Sequence, residues 1–277
     1  MRKETAESRK TALITGASSG IGYELAGLFA KSGHDLVIVA RNEQRLDSLA
    51  VELAQRFGIN VTVLAKDLSA PTAAEEILAE LRHRALHIDI LVNNAGFGAY
   101  GAFQETGLER ELQMIQVNIT ALTQLTKLIL PEMLKRNSGK ILNIGSTASF
   151  APSPFVAVYG ATKAYVLSFS EALAEELKGT GVTVTVLCPG STETEFAERA
   201  KMTESRLFQG RLMNAGEVAE IGFRALMEGK TTVIAGIANK LLVFSQRFAP
   251  RKMVAAISRK LLERKERLRL QDANIKA

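Results

Sequence analysis

Short runs of apolar, mostly β-branched residues alternate along the chain with longer stretches in which apolar residues recur at helical spacing. The apolar runs predict seven β-strands, which lie at residues 11–15, 35–40, 61–65, 88–92, 140–144, 182–187 and 231–235. The amphipathic stretches predict helices near residues 20–32, 43–57, 72–84, 107–135, 158–178 and 216–228. Continuously apolar strands that alternate with helices are typical of a parallel sheet covered on both faces. The pattern therefore predicts an α/β fold, a doubly wound parallel sheet of seven strands with helices on both faces.

The strand–helix alternation ends near residue 237. No repeat, low-complexity linker or proline-rich boundary precedes that point, so we predict one catalytic domain over residues 1–236 and a helical extension over residues 237–277. From Lys240 to the end the chain has 11 Lys and Arg against 3 Asp and Glu, whereas the preceding residues have 24 against 26. A near-neutral body with a basic tail argues against a nucleic-acid groove in the main domain.

The basic tail predicts an amphipathic helix that starts again after Pro250. Its apolar face consists of Val254, Ile257, Leu261 and Leu268. Its remaining surface carries six cations: Arg259, Lys260, Arg264, Lys265, Arg267 and Arg269. We expect the tail to dock on a partner surface rather than join the core, and we expect truncation to spare the chemistry. An anionic membrane, a second subunit and the chain's own domain all remain open as the docking surface.

The N-terminal residues, the apolar runs and the cysteine content predict the cellular location of the protein. Residues 1–9 are polar and contain no signal-peptide core, and no run approaches the roughly 18 apolar residues that a membrane-spanning helix needs. The single cysteine, Cys188, cannot form an internal disulfide. We therefore expect a cytoplasmic protein, with peripheral membrane contact through the tail as an open alternative.

A glycine-rich turn follows the first predicted strand and opens the first predicted helix, with the sequence TGASSGIG at residues 15–22. Glycines let the backbone turn tightly and let a pyrophosphate approach the helix N-terminus, where free N–H groups stabilise the anion. A glycine-rich turn alone is a weak signal, but its position between a first strand and a first helix predicts a Rossmann-type dinucleotide site.

The end of the second strand indicates which nucleotide binds. An NAD-binding protein usually has an acidic residue there for the ribose 2′-hydroxyl. This chain has Ala40 and then Arg41, and an Arg can pair with a 2′-phosphate in a bidentate contact. The alternative is a solvated Arg41 beside a helix cap. The sequence favours NADP(H).

Tyr159 and Lys163 are four residues apart in a predicted helix, so they lie on one face about 5–6 Å apart. A free tyrosine has a pKa near 10, which is too high for a base at neutral pH. A cation at about that distance stabilises the phenolate by roughly 3 kcal/mol, which lowers the pKa by about 2 units. Oxidised nicotinamide would add a second positive charge. The pair therefore predicts a tyrosine acid/base, although Y-x-x-x-K alone is common by chance.

Together these features resemble the short-chain dehydrogenases/reductases over roughly residues 10–236. Six motifs occur in the order and spacing of that family: TGASSGIG at 15–22, Asp67-Leu68, Asn93-Asn94-Ala95-Gly96, Asn118, the Ser146/Tyr159/Lys163 set, and Pro189-Gly190. The basic residue that many NADP-binding members have inside the glycine loop is missing, because Ser19 stands there. That difference places more weight on Arg41.

The resemblance implies a role for each matching position. Tyr159 is implied as the general acid for carbonyl reduction or the base for alcohol oxidation, and Ser146 as the hydrogen-bonding partner of the substrate oxygen. Lys163 would hold the nicotinamide ribose, and Asn118 would anchor a water that links Lys163 to solvent. The predicted cofactor contacts are Gly16, Ser18, Ser19, Gly20, Ile21, Gly22, Arg41, Asp67, Leu68, Asn94, Ala95, Gly96, Tyr159, Lys163, Pro189, Gly190, Thr192 and Thr194.

Two segments, residues 97–103 and 191–214, are expected to flank the nicotinamide. The second contains six large apolar residues: Phe196, Met202, Leu207, Phe208, Leu212 and Met213. Phe150, Phe155 and Val156 add apolar surface, and no Arg or Lys cluster is evident that would bind a carboxylate or a phosphate near the nicotinamide. The expected substrate is a hydrophobic carbonyl or alcohol, lipid-like or steroid-like. The alternative is a catalytically silent nucleotide sensor or scaffold, which predicts damage to the Ser146/Tyr159/Lys163 set; all three residues are intact.

Several other residues have no predicted chemical role. Cys188 is expected in the core, and His83, His87 and His34 are expected on solvated turns and helix faces, so no metal site is predicted. An apolar stripe along residues 107–135 predicts core or subunit interface. It consists of Leu108, Leu112, Ile115, Ile119, Leu122 and Leu125. The resemblance also implies a homodimer or homotetramer.

Overall fold

A computed structural model describes residues 9–263 of the chain. All seven predicted strands are present in one parallel sheet with the order β3-β2-β1-β4-β5-β6-β7. The strands are β1 (Thr11–Thr15), β2 (Asp35–Ala40), β3 (Val61–Ala65), β4 (Ile90–Asn93), β5 (Gly139–Ile144), β6 (Val182–Cys188) and β7 (Thr232–Ile234). The predicted Rossmann-type, doubly wound fold is confirmed.

Ten α-helices are found among the described residues. They are α1 (Gly20–Lys31), α2 (Glu43–Phe57), α3 (Ala73–His83), α4 (Leu108–Ile115), α5 (Leu122–Lys135), α6 (Ala157–Glu176), α7 (Phe196–Arg199), α8 (Ala215–Met227), α9 (Ile237–Ser245) and α10 (Arg251–Leu262). In the same range, no helix is both long enough and apolar enough to cross a membrane.

Each face of the sheet has its own core, because successive side chains of a strand point to opposite faces. On β1, Ile14 packs in one core with Phe29 of α1. Leu13 packs in the other core with Ile77 of α3 and Leu125 of α5. All five side chains are fully or almost fully buried. The central strands are therefore covered on both sides, as their continuous apolar runs predict.

The predicted helix over residues 107–135 is interrupted. A π-helical segment, Gln116–Ala121, separates α4 from α5, and such segments are frequent at functional sites. The apolar stripe divides at the same point. Leu122 and Leu125 are buried, whereas Leu108, Leu112 and Ile115 of α4 are exposed.

His34 differs from its predicted solvated position. It is buried at the start of β2, with its ring edge-on to Phe29 at 5.4 Å between ring centres. Burial lowers the pKa of its imidazole. His83 and His87 are exposed, and residues 9–263 contain no group of three or more His, Cys, Asp or Glu side chains placed to hold a metal ion. Cys188 is fully buried with a free thiol, as expected.

The C-terminal extension packs on its own domain, which is one of the docking surfaces that the sequence left open. Pro250 stands at the N-cap of α10, as the sequence predicts, and Val254 and Leu262 of that helix are buried. The Tyr100 hydroxyl donates a hydrogen bond to the Leu262 carbonyl at 2.5 Å. The reason is that Val156, Ala197, Ala200 and Met202 form an apolar surface, which α10 covers with Leu262. The part of the predicted tail that includes Leu268 and Arg264, Lys265, Arg267 and Arg269 lies outside the described residues.

Candidate active site

A cleft of about 650 Å³ lies along the carboxyl edge of the sheet. The strand order places β1 beside β4, so the connections that leave these two strands diverge and open a crevice between them. The loops that follow β1, β4, β5 and β6 line the cleft. Its volume is within the range of small-molecule and cofactor sites.

The glycine loop after β1 is held in a single conformation by its neighbours. Gly16 and Gly20 have φ values of +67° and +58°, which side chains rarely adopt. A Cβ atom on Gly22 would lie 2.3 Å from the Gly16 carbonyl oxygen. The Asn94 amide donates to the carbonyls of Thr15 at 2.8 Å and Gly16 at 3.2 Å. Asn94 therefore positions this loop, a role that sequence reasoning missed.

The N-terminus of α1 fits a pyrophosphate. Ser19 is its N-cap and makes no side-chain capping bond, so the first N–H groups of the helix are not satisfied by a cap. Ser18, Ser19, Gly20 and Ile21 all line the cleft. Free N–H groups and the positive end of the helix dipole favour an anion there.

The far end of the cleft fits an adenosine moiety with a 2′-phosphate. Arg41 is exposed at the cleft and makes no salt bridge within residues 9–263, whereas Arg45 pairs with Glu195 at 2.9 Å. Asp67 and Leu68 line the same end, and Asp67 accepts a hydrogen bond from the Ser69 N–H at 2.9 Å. Because no carboxylate pairs with Arg41 in this part of the chain, its guanidinium is available to bind a phosphate.

The structure brings Ser146, Tyr159 and Lys163 together at the middle of the cleft. Ser146 caps a 3₁₀ turn after β5, where its Oγ accepts from the Ala148 N–H at 3.1 Å, and its hydroxyl is close enough to Tyr159 to lower the pKa of that side chain. Lys163 is 5% exposed, and its Nζ donates to the Ile144 carbonyl at 2.7 Å. The Lys163 Nζ lies 5.8 Å from the centre of the Tyr159 ring.

The pKa of Tyr159 is shifted opposite to the predicted direction. Burial raises its pKa to about 12, and the neighbouring Ser146 hydroxyl opposes this only in part. Burial also penalises the charged form of Lys163 and lowers its pKa to about 8. Desolvation acts on both groups, an effect that the spacing of Tyr159 and Lys163 in the sequence does not reveal. At neutral pH Tyr159 is therefore a neutral phenol, and the Lys163 ammonium is charged.

Asn118 lies in the π-helical segment behind this set and is buried. Its Oδ1 accepts from the Phe97 N–H at 3.1 Å, and its Nδ2 donates to the Phe97 carbonyl at 3.1 Å and the Thr162 hydroxyl at 3.0 Å. These bonds tie the loop after β4 to α6. The side chain thus acts as a positioning group for the segment beside Tyr159.

Apolar and aromatic side chains line the end of the cleft beyond Tyr159. The rings of Tyr159 and Phe196 lie 5.2 Å apart. The other apolar residues that line this end of the cleft are Val156, Met202, Leu207, Phe208, Val254, Ile257, Leu261 and Leu262. Helix α10 therefore forms one wall of the cleft, a contribution that the sequence did not predict.

Two cations line this end of the cleft, although the sequence showed no cluster there. Arg110 donates to the carbonyls of Gly98 at 3.2 Å and Arg199 at 2.8 Å, and it stacks on the Phe97 ring. Arg199 forms an ion pair with Glu195. Both guanidinium groups therefore already have partners within the protein.

Nearly all of the predicted site residues line the cleft. The exceptions are Gly22 and Asn118. Gly22 does not face the cleft because it is buried against the carbonyl of Gly16, where it permits the close turn. The missed residues include Lys66, Arg110, Gln113, Leu242 of α9 and the α10 side chains. The amphipathic spacing of α10 was visible in the sequence, but its packing partner was not.

Comparisons with known proteins agree with this geometry. A sequence profile described as short chain dehydrogenase matches residues 10–205. Sulfoacetaldehyde reductase 2 of Chromohalobacter salexigens is 41% identical over 186 residues, which cover 66% of this chain and 73% of that protein.

Two solved structures extend the likeness beyond the profile. A short-chain dehydrogenase from Sphingobium yanoikuyae in complex with NADPH is 36% identical, with a TM-score of 0.78 over 86% of this chain and 93% of that one. A bulky-bulky ketone specific alcohol dehydrogenase from Comamonas testosteroni is 33% identical, with a TM-score of 0.74 over 86% and 92%. The NADPH complex bears out the predicted cofactor.

Proposed function

The chain belongs to the short-chain dehydrogenase/reductase family of oxidoreductases, as its six motifs predict, and from this premise we propose its reaction. It transfers a hydride between NADP(H) and a hydrophobic carbonyl or alcohol, lipid-like or steroid-like. Tyr159 is the general acid for reduction and the base for oxidation. The observation that carries the proposal is the meeting of Tyr159, Ser146 and Lys163 at the middle of the cleft.

The glycine loop, Arg41 and the N-terminus of α1 would hold the cofactor, and NADPH, when bound, supplies a hydride for the carbonyl carbon of a substrate. Tyr159 holds the proton that the carbonyl oxygen must receive, and its pKa of about 12 keeps that proton in place at neutral pH. Ser146 lines the cleft beside Tyr159, so its hydroxyl would orient the same oxygen. Lys163 presents a positive charge that stabilises phenolate once the proton has left.

The substrate proposal rests on the wall beyond Tyr159. Phe196, Met202 and Phe208 are contributed by the segment after β6, and Leu262 by α10. Met202 and Leu262 are buried within this wall, whereas Phe196 and Phe208 are partly exposed. The exposed apolar surface gains free energy of roughly 25 cal/mol per Å² when a ligand removes it from water. A large apolar ketone fits this wall better than a sugar phosphate, because the two cations nearby are already engaged.

A second candidate is a small anionic carbonyl compound. Arg110 lines the cleft beside Phe97, and one relative is named for sulfoacetaldehyde. This candidate requires Arg110 to exchange its carbonyl partners for the substrate anion. The silent nucleotide sensor that the sequence left open has no observation in its favour, because the three chemical side chains are intact and adjacent.

A substrate screen separates these candidates. NADPH oxidation is followed with bulky ketones, long-chain aldehydes, sterol ketones, and small carboxylate- or sulfonate-bearing carbonyls. We expect the highest kcat/KM among the apolar compounds. Highest activity on the anionic compounds, together with its loss in Arg110→Ala, would select the second candidate. Tight NADPH binding with no turnover on any class would contradict the oxidoreductase proposal.

A further inference from the structure

Helices α9 and α10 present an apolar face to solvent. Ile237, Leu241, Phe244 and Phe248 recur at helical spacing, and their exposed fractions are 77%, 65%, 56% and 77%. On α10 the inward residues Val254 and Leu262 are buried, whereas Met253, Ile257 and Leu261 on another side of the helix are 40–49% exposed. This extent of exposed apolar surface at adjacent positions marks an interaction site.

The same two helices carry a concentrated positive charge. Residues 237–263 contain six cations and one carboxylate, and all six cations are exposed: Lys240, Arg247, Arg251, Lys252, Arg259 and Lys260. The one carboxylate, Glu263, is buried and lies 4.0 Å from Arg259. The exposed surfaces of α9 and α10 thus carry both apolar and basic side chains.

This face is continuous with the mouth of the cleft. Leu242, Ile257 and Leu261 line the cleft and are also 43%, 49% and 40% exposed, so they lie at its rim. If an apolar surface such as a lipid layer rests on this rim, a molecule dissolved in that layer can pass directly to the apolar wall beside Tyr159 without crossing water.

We propose that α9 and α10 form a docking face for an anionic lipid surface, through which a lipophilic substrate enters the cleft. The part concerning substrate entry rests on the proposed function; the docking itself does not. A face with apolar residues among Lys and Arg matches the interfacial region of an anionic bilayer, where the apolar side chains leave water and the cations meet lipid headgroups. A second copy of the chain is a poorer partner, since two such faces would bring like charges together.

Co-sedimentation with vesicles tests the docking. The full-length protein is mixed at low salt with phosphatidylcholine vesicles, with and without phosphatidylglycerol. We expect it to sediment with the anionic vesicles and to be released by salt. The double variant Leu241→Ser/Phe248→Ser is expected to lose at least about tenfold in partitioning, because it removes two exposed apolar groups. The charge variant Arg247→Glu/Lys252→Glu is expected to lose a similar amount.

Matched controls make the result decisive. Val51→Ser and Lys135→Glu change an exposed apolar residue and an exposed cation on other helices, and both should bind vesicles like the wild type. Equal thermal melting of all variants shows that they are folded. The proposal is overturned if the wild type stays in the supernatant with anionic vesicles, if it binds neutral vesicles equally, or if the face variants bind unchanged. If the wild type is a dimer that does not bind vesicles, and the face variants are monomers in light scattering, the face belongs to a second copy of the chain instead.

Turnover of a water-soluble ketone in the absence of lipid separates this proposal from the proposed function. The Leu241→Ser/Phe248→Ser variant should retain wild-type kcat/KM on that compound, because neither side chain lines the cleft. With a lipophilic ketone dissolved in anionic vesicles, the variant should lose activity in parallel with its binding. An unchanged rate on the vesicle-borne ketone, despite lost binding, would refute substrate entry from the membrane.

Discussion

Two buried ionisable side chains set the chemistry at the scale of single residues. Tyr159 has a pKa of about 12 and keeps its proton at every lower pH, whereas Lys163 has a pKa of about 8 and loses its charge above that pH. Both shifts have the same cause, the removal of the charged form from water. For carbonyl reduction, Tyr159 therefore has a proton to donate over the whole neutral range. Lys163 is the group whose charge changes near pH 8.

The rate of carbonyl reduction is therefore expected to depend on Lys163. Because its pKa is lowered to about 8, its positive charge is present below that pH and is lost as the pH rises through it. We expect kcat/KM for NADPH-dependent reduction to fall above about pH 8 with one ionisation, and the Lys163→Met variant to lack this step. Lys178→Met, on an exposed lysine, is the control. A wild-type profile that stays level well above pH 8 would refute the assignment.

Arg41 belongs to the same scale, because one guanidinium group decides between two nucleotides. The Arg41→Ala variant is expected to bind NADPH about 10- to 150-fold more weakly, which corresponds to a charge-assisted hydrogen bond of about 1.5–3 kcal/mol, and to bind NADH unchanged. Titration of both nucleotides against wild type and variant measures the gap. Arg56→Ala, at the far end of α2, is the control. Equal wild-type affinities for NADPH and NADH would contradict the role.

Among the helices, the element that sequence reasoning assigned least correctly is α10. Its amphipathic spacing was evident, and the break at Pro250 was placed correctly. The identity of the surface that receives its apolar face depends on residues more than a hundred positions away, such as Tyr100 and Val156, so helical periodicity does not contain it. The π-helical segment escaped prediction for a related reason, since the apolar stripe runs on through it.

The Leu262→Ala variant tests α10 as a wall of the cleft. Large-to-small changes in a packed cluster cost about 2–5 kcal/mol, and this cost falls on the docking of α10 onto Ala197 and Met202. We expect KM for apolar substrates to rise while the Kd of NADPH stays constant, because the glycine loop and Arg41 are untouched. Met253→Ala, which shortens an exposed residue of the same helix, should have neither effect. An unchanged KM in Leu262→Ala would show that α10 does not contribute to substrate binding.

For the whole molecule, the sequence predicted the sheet and the cofactor half of the site more completely than the substrate half. Seven continuously apolar runs specify buried parallel strands, and the residues that follow them meet at one edge by geometry alone. The order of the strands and the apolar wall require tertiary packing. The pKa direction of Tyr159 was wrong because the spacing of Tyr159 and Lys163 reveals their proximity but not their desolvation.

The predicted homodimer or homotetramer is tested at this scale. Leu108, Leu112 and Ile115 form an exposed apolar stripe on α4, which a partner subunit would cover. We expect light scattering to give twice or four times the chain mass, and Leu112→Glu to reduce it. Val51→Glu, a similar change on α2, should leave the mass unaltered. A wild-type monomer at every concentration would contradict the assembly.

The measurement that tests the whole account most directly is the Tyr159→Phe variant, assayed on the best compound from the screen. The change removes only the hydroxyl, so the fold and NADPH binding are expected to remain as in the wild type. General acid/base catalysis contributes about 10²–10⁴-fold, and kcat is expected to fall by at least that factor. A variant that binds NADPH normally and keeps more than about a tenth of the wild-type kcat would show that Tyr159 is not the acid/base.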